Sequence, residues 1–160
     1  LSLIFLLVCI MPTKIWAQST EKIPVHQDDH GHGNHEVAIA TSTPYFVNEK
    51  KLSYSVHFHY VYKLPKTKLG LGLAYESILL APKHNTFGLV TSYSPLEDLN
   101  LSISPGVSFE NGDATPFFSL HTELSYEYEV GMFHIGPAFE FAYDPNDYHL
   151  SLGIHFGYVF

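Results

Sequence analysis

The sequence predicts an all-β fold: an antiparallel, eight-stranded transmembrane β-barrel, preceded by a signal peptide and a disordered His-rich segment. Three observations carry this reading. In the closing stretch, Tyr148, Leu150, Leu152, Ile154, Phe156, Tyr158 and Phe160 alternate with His149, Ser151, Gly153, His155 and Gly157. A two-residue period marks a strand with one apolar face, and this strand is longer than the five or six residues usual in a globular sheet. The same alternation recurs eight times along the chain. The face opposite the apolar one is built of Gly, Ser, Ala, His and Glu, which is too small and too polar to cover a soluble barrel but suits a narrow lumen.

The 160 residues are enough for one domain. Residues 1–17 read as a signal peptide: Leu3 to Met11 is a short apolar core and Ala17 a small residue before the cut. That core is too short to cross a bilayer as a helix, and no later segment has the 18 consecutive apolar residues a spanning helix needs. The single cysteine, Cys9, falls in this leader. A mature chain without it has neither a thiolate nucleophile nor a zinc–thiolate site.

Residues 18–35 are polar and carry too little apolar surface to fold alone. In them and at their edge, His26, Asp28, Asp29, His30, His32, His35 and Glu36 crowd together. The barrel is expected over residues 36–160. Its first strand presents Val37, Ile39, Thr41, Thr43, Tyr45 and Val47 on one face. The second presents Tyr54, Val56, Phe58, Tyr60 and Tyr62, against Ser53, Ser55, His57 and His59. The third sets Leu69, Leu71, Leu73 and Tyr75 against Gly70, Gly72, Ala74 and Glu76. The fourth shows Phe87, Leu89, Thr91 and Tyr93, with His84 expected in the loop before it. The fifth sets Leu101, Ile103, Val107 and Phe109 against Ser102, Ser104, Gly106 and Ser108. The sixth opposes Phe118, Leu120, Leu124, Tyr126 and Tyr128 to His121, Glu123, Glu127 and Glu129. The seventh opposes Ile135, Phe139, Phe141 and Tyr143 to His134, Ala138, Glu140 and Ala142. Turn residues separate the strands, as at Leu64-Pro65-Lys66 and Asp144-Pro145-Asn146-Asp147. Pro105 and Pro137 fall inside strands and are expected at bulges or kinks.

With these strands, the leader and the terminal Gly157-Tyr158-Val159-Phe160, the chain resembles the small outer-membrane β-barrel proteins of Gram-negative bacteria, the OmpA-barrel, OmpX and OmpW type. The resemblance covers residues 36–160. It implies residence in the cell outer membrane among its lipids, with the N-terminal segment in the periplasm. It implies recognition by the barrel-assembly machinery through Phe160. A monomer is expected. The resemblance carries over no catalytic residue, and the loops here are shorter than such barrels usually have.

Chemistry is suggested by charge. The net charge is −8 with His neutral, all eight basic residues are Lys, and there are eleven His. This balance excludes a nucleic-acid surface, which needs a basic face. The two-residue period places His57, His59, Glu76, His121, Glu123, Glu127, Glu129, His134, Glu140, His149 and His155 in the lumen with no Lys or Arg, so only histidine or a bound cation could balance the carboxylates. His57-x-His59 sets two imidazoles on one strand face, about 7 Å apart along the chain. Adjacent strands should bring His121, Glu123, Glu140 and His155 together at middle depth. These six, with His26, His30, His32 and His35 of the polar segment, are the candidate ligands for a divalent transition metal such as Zn, Cu or Ni. Two alternatives stand beside metal handling: a structural barrel whose lumen network serves only stability, and an enzyme that modifies outer-membrane lipid. No Ser-His-acid arrangement is visible, and the expectation is that the chain is not an enzyme.

Overall fold

The computed structural model describes residues 33–80, 83–110, 113 and 115–160. The assigned signal peptide, His26, His30, His32 and the centres of the turns at 81–82 and 111–112 lie outside the described residues. The described chain is built of β1 (His35–Phe46), β2 (Lys51–Leu52), β3 (Ser55–Lys63), β4 (Leu69–Ile78), β5 (His84–Leu96), β6 (Leu99–Glu110), β7 (Phe117–Tyr126), β8 (Tyr128–Val130), β9 (Phe133–Tyr143) and β10 (Tyr148–Val159). Each long strand pairs antiparallel with its sequence neighbour, and β1 pairs with β10 from Glu36↔Val159 to Phe46↔His149. The sheet is therefore a closed barrel of eight staves. Closure satisfies every edge, which a strand surrounded by lipid requires because unpaired backbone groups there cost several kcal/mol each.

The two short segments extend neighbouring staves. β2 runs into β3 along β1, and β8 continues β7 along β9. Both interruptions face a proline. Ser125↔Ala138 and Tyr128↔Ile135 belong to one register, which puts Tyr126 opposite Pro137. Tyr45↔Leu52 and Ser42↔Ser55 share another, which puts Ser53 opposite Pro44. Proline offers no N–H to the ladder, so one bond is missing and the register is kept. Pro105 behaves likewise: Gly88↔Gly106 and Thr91↔Ile103 keep one register across it. The bulges expected at Pro105 and Pro137 are thus replaced by single missing bonds, and the register shift between β5 and β6 lies at Tyr93/Leu96 instead.

Alternation sorts the side chains as their chemistry demands. Leu152 is 69% exposed and Leu89 64% on the outer face, whereas the inward Phe46 is 1% exposed and His155 0%. An outer belt this apolar needs a hydrocarbon partner. The lumen itself has two unlike walls. On β4, β5 and β6 the inward residues are mostly small, including Gly70, Gly72, Gly88, Ser102, Ser104 and Gly106. On β1, β3, β7, β9 and β10 they include His and Glu, which reach into the space the small wall leaves. Two hydroxyl pairs, Ser42–Ser55 at 2.7 Å and Thr86–Ser108 at 2.6 Å, stitch neighbouring strands inside.

Strand ends depart from expectation in places that matter for the site. β1 starts at His35, so Glu36 is a lumen residue. β5 starts at His84, which is buried in the lumen and not in a loop. Glu129, expected in the lumen, is exposed in β8. Lys63 ends β3 with its Nζ 2.8 Å from Glu36 Oε2, so the lumen does hold a basic partner.

Candidate metal centre in the barrel lumen

The inward His and Glu form a continuous column. Its first cluster lies toward the end that carries the 144–147 loop. Glu76 of β4, His121 of β7, Glu140 of β9 and His149 of β10 each offer one ligand atom, all within 4.8 Å of one another. His121 donates its Nδ1–H to Glu140 Oε1 at 2.9 Å and stands 3.4 Å from Glu76 Oε2. His149 Nε2 lies 3.6 Å from Glu140 Oε1. All four side chains are buried, and neither oxygen of Glu76 nor Nε2 of His149 has a hydrogen-bond partner. A buried carboxylate without partners is costly, and two orphaned groups converging on one point are what a cation site presents. The loop end above it is closed by Phe46, whose ring lies 4.8 Å from that of His149 and 6.0 Å from that of His84.

The middle of the column is His57, Glu123 and Glu140, again within 4.8 Å. His57 Nδ1 is 3.8 Å from Glu123 Oε2, and Glu123 and Glu140 are direct cross-strand neighbours. Toward the end holding both chain termini of the barrel, two sets share His155: Glu36 with His59, and Glu127 with His134. His155 donates Nδ1–H to Glu123 Oε1 at 3.2 Å, and its Nε2 faces His134 Nε2 at 3.2 Å. Glu127 is held by Ser125 Oγ at 2.8 Å and by the Asn100 amide at 3.2 Å.

The register thus gathers all six of the predicted lumen ligands, His57, His59, His121, Glu123, Glu140 and His155, but divides them. His121 and Glu140 belong to the first cluster, His59 and His155 to the last, and His57 and Glu123 lie between. His121, Glu123, Glu140 and His155, expected together at middle depth, touch in a chain, His121 to Glu140, Glu140 beside Glu123, Glu123 to His155, and do not share one ligand group, because Glu140 pairs with Ser151 on β10 and His155 sits four residues further along that strand. His35 joins none of them. It opens β1 on the outer face, where its Nδ1 meets Tyr60 OH at 2.7 Å and its ring stacks on Phe160.

Five residues of these clusters stood outside the predicted ligand set: Glu36, Glu76, Glu127, His134 and His149. Four of them were already placed inward by the two-residue period and lacked only the register. Glu36 stood at the first position of the expected barrel, ahead of Val37, and was given no place in the lumen. His84 shares parity with Gly88, and extending β5 by three residues upstream of Phe87 would have found it.

No family model and no curated protein sequence matches the chain. Solved structures do match its shape. The Neisserial surface protein A structure superposes with a TM-score of 0.60 at 12% identity, covering 81% of this chain and 99% of that one. Ail, the attachment invasion locus protein of Yersinia pestis, gives 0.57 at 13% identity, covering 81% and 99%. A de novo designed transmembrane β-barrel gives 0.54 at 16% identity, covering 78% and 95%. Identities this low speak for architecture alone, and on that level the chain has the fold of the small eight-stranded outer-membrane β-barrels.

Proposed function

We propose that this chain is an integral outer-membrane barrel that binds a divalent transition metal ion, Zn, Cu or Ni, through Glu76, His121, Glu140 and His149. The observation that supports it is the convergence of four buried donors from four strands, three of whose atoms are left without hydrogen bonds. Imidazole with carboxylate is a ligand set for these borderline metals, and a bound ion would supply the charge that the carboxylates lack. In this reading the end with both barrel termini faces the periplasm, and His26, His30 and His32 add a weaker chelating segment there.

A second reading has its own support. His121 with Glu140, His155 with Glu123 and Lys63 with Glu36 are already paired, as a network serving stability alone would be. Titration calorimetry with Zn, Cu and Ni separates the two. The refolded chain, with and without residues 18–35, should bind an ion with micromolar or tighter affinity, and binding should survive the deletion. Glu76→Gln combined with His149→Ala should weaken that binding by more than about 100-fold, since even ligand-supporting residues are worth up to that factor. Wild-type protein that binds nothing, with variants that only unfold more easily, would leave the structural network as the answer.

A further inference from the structure

The other end of the column has a geometry of its own. His134 Nε2 and His155 Nε2 stand 3.2 Å apart. Two nitrogens bound at about 2.0–2.1 Å to one tetrahedral ion must stand about 3.3 Å apart. A pair of imidazole nitrogens at that spacing can share one N–H as a hydrogen bond. It has the ligand-to-ligand edge of a metal site. His155 also donates its far nitrogen to Glu123 at 3.2 Å. That contact fixes the tautomer and turns the Nε2 lone pair of His155 toward His134, the orientation that carboxylates behind metal-bound histidines impose.

Two more donors face this edge. Glu36 Oε1 is 3.8 Å from His134 Nε2 and 3.8 Å from His59 Nε2. His59 is 8% exposed, and its Nε2 has no hydrogen-bond partner. Glu127 Oε2 waits 3.9 Å from His134 Nε2. The remaining oxygen of Glu36 is held by Lys63 Nζ at 2.8 Å, and the Lys63 side chain is 42% exposed at the mouth. The ammonium is thus the one group here that can leave for water while the others stay.

We propose a second metal site at the terminal end of the lumen, in which His134, His155, His59 and Glu36 bind a divalent transition ion and Lys63 is the counter-cation that the ion displaces. The site shares no ligand with the Glu76 cluster and stands or falls separately. Its entry is the mouth at which Lys63 stands, so among the described residues this lysine is the one that would swing aside for loading from that side.

The test counts ions by the ligand-field absorption of Co(II) and by calorimetry with Zn on the refolded full chain. Folding of every variant is checked by heat-modifiable electrophoretic mobility. Wild type should take up two tightly held ions and Glu76→Gln/His149→Ala one, any weaker uptake by His26, His30 and His32 being removed by deleting residues 18–35. The ion remaining in that double variant should be lost on adding His134→Asn. It should also be lost on adding Gly157→Ala, which removes no donor: a β-carbon there would lie 1.9 Å from His134 Nε2 and would push the ring aside. Lys63→Met should tighten this site about tenfold, which is about 1.4 kcal/mol. A single ion, lost in Glu76→Gln/His149→Ala and indifferent to His134→Asn and Gly157→Ala, would overturn this site and leave the first. A single ion with the opposite response would overturn the first and leave this one. No ion in any form would remove both, and an unchanged affinity in Lys63→Met would overturn the displacement.

Discussion

Single residues decide how closely these strands approach and what the lumen can hold. Gly136 sits where a β-carbon would lie 1.6 Å from the Tyr126 carbonyl oxygen. That close approach is at the gap that Pro137 leaves in the ladder, and only a glycine allows it. Gly136→Ala should destabilise the barrel by about 1–3 kcal/mol, as overpacking does, read from unfolding by denaturant in lipid vesicles. An unchanged midpoint would mean that the strands separate there at no cost. The ligands carry a chemical prediction of their own. Protons and metal ions compete for the same imidazole and carboxylate lone pairs, so affinity at the two proposed lumen sites should fall as pH is lowered, and calorimetry should detect protons released on binding.

Among the elements, the turns do more than reverse the chain. Asp144 Oδ1 accepts the backbone N–H groups of Asn146 at 2.7 Å and Asp147 at 2.9 Å. Asp147 accepts from Tyr148, from Asn48 at 2.9 Å and from Glu49 at 3.2 Å, which ties the last hairpin to the first. This is how so short a loop closes the seam between β1 and β10. Asp147→Ala should cost about 1–3 kcal/mol through the donors left unpaired, with the increase in hydrogen exchange confined to residues around Asn48 and Tyr148. A uniform increase over all strands would argue against a local tie. At the opposite end Gly131 turns with φ +67°, a conformation that L residues resist. Gly131→Ala should therefore cost about 1–2 kcal/mol.

For the whole molecule, the bilayer replaces the hydrophobic core that a soluble domain would need. The interior is mostly His, Glu, Ser, Gly and Ala, with only a few larger apolar side chains such as Phe46, Val61, Ile78 and Val90, and most of the apolar surface faces outward. The outer face should then respond to charge by depth. Ile154 lies near the middle of β10 and is 58% exposed, while Leu52 lies in β2 at the loop end and is 65% exposed. Ile154→Arg should destabilise by about 2–4 kcal/mol and Leu52→Arg by about 0–1 kcal/mol. Equal penalties in vesicles would contradict a membrane-spanning wall.

The sequence by itself determined the barrel. Its eight alternating runs and the greasy–polar split are written in a two-residue period, which needs no knowledge of partners because each β residue's face follows from its parity alone. The inward position of Glu76, His121, His134 and His149 followed from the same rule. Parity says nothing of depth. Whether His121 meets Glu140 or His155 depends on the stagger between staves, and that is set by hydrogen-bond register and closure, which are properties of the assembled sheet. For the same reason only the tertiary structure could divide the expected set among clusters, turn Glu36 into the lumen with Lys63 at its side, and bring His84 in as well. Proline, too, was ambiguous in one dimension: its missing N–H predicted a disturbance, but only a partner strand could show whether the ladder would shift or lose one bond.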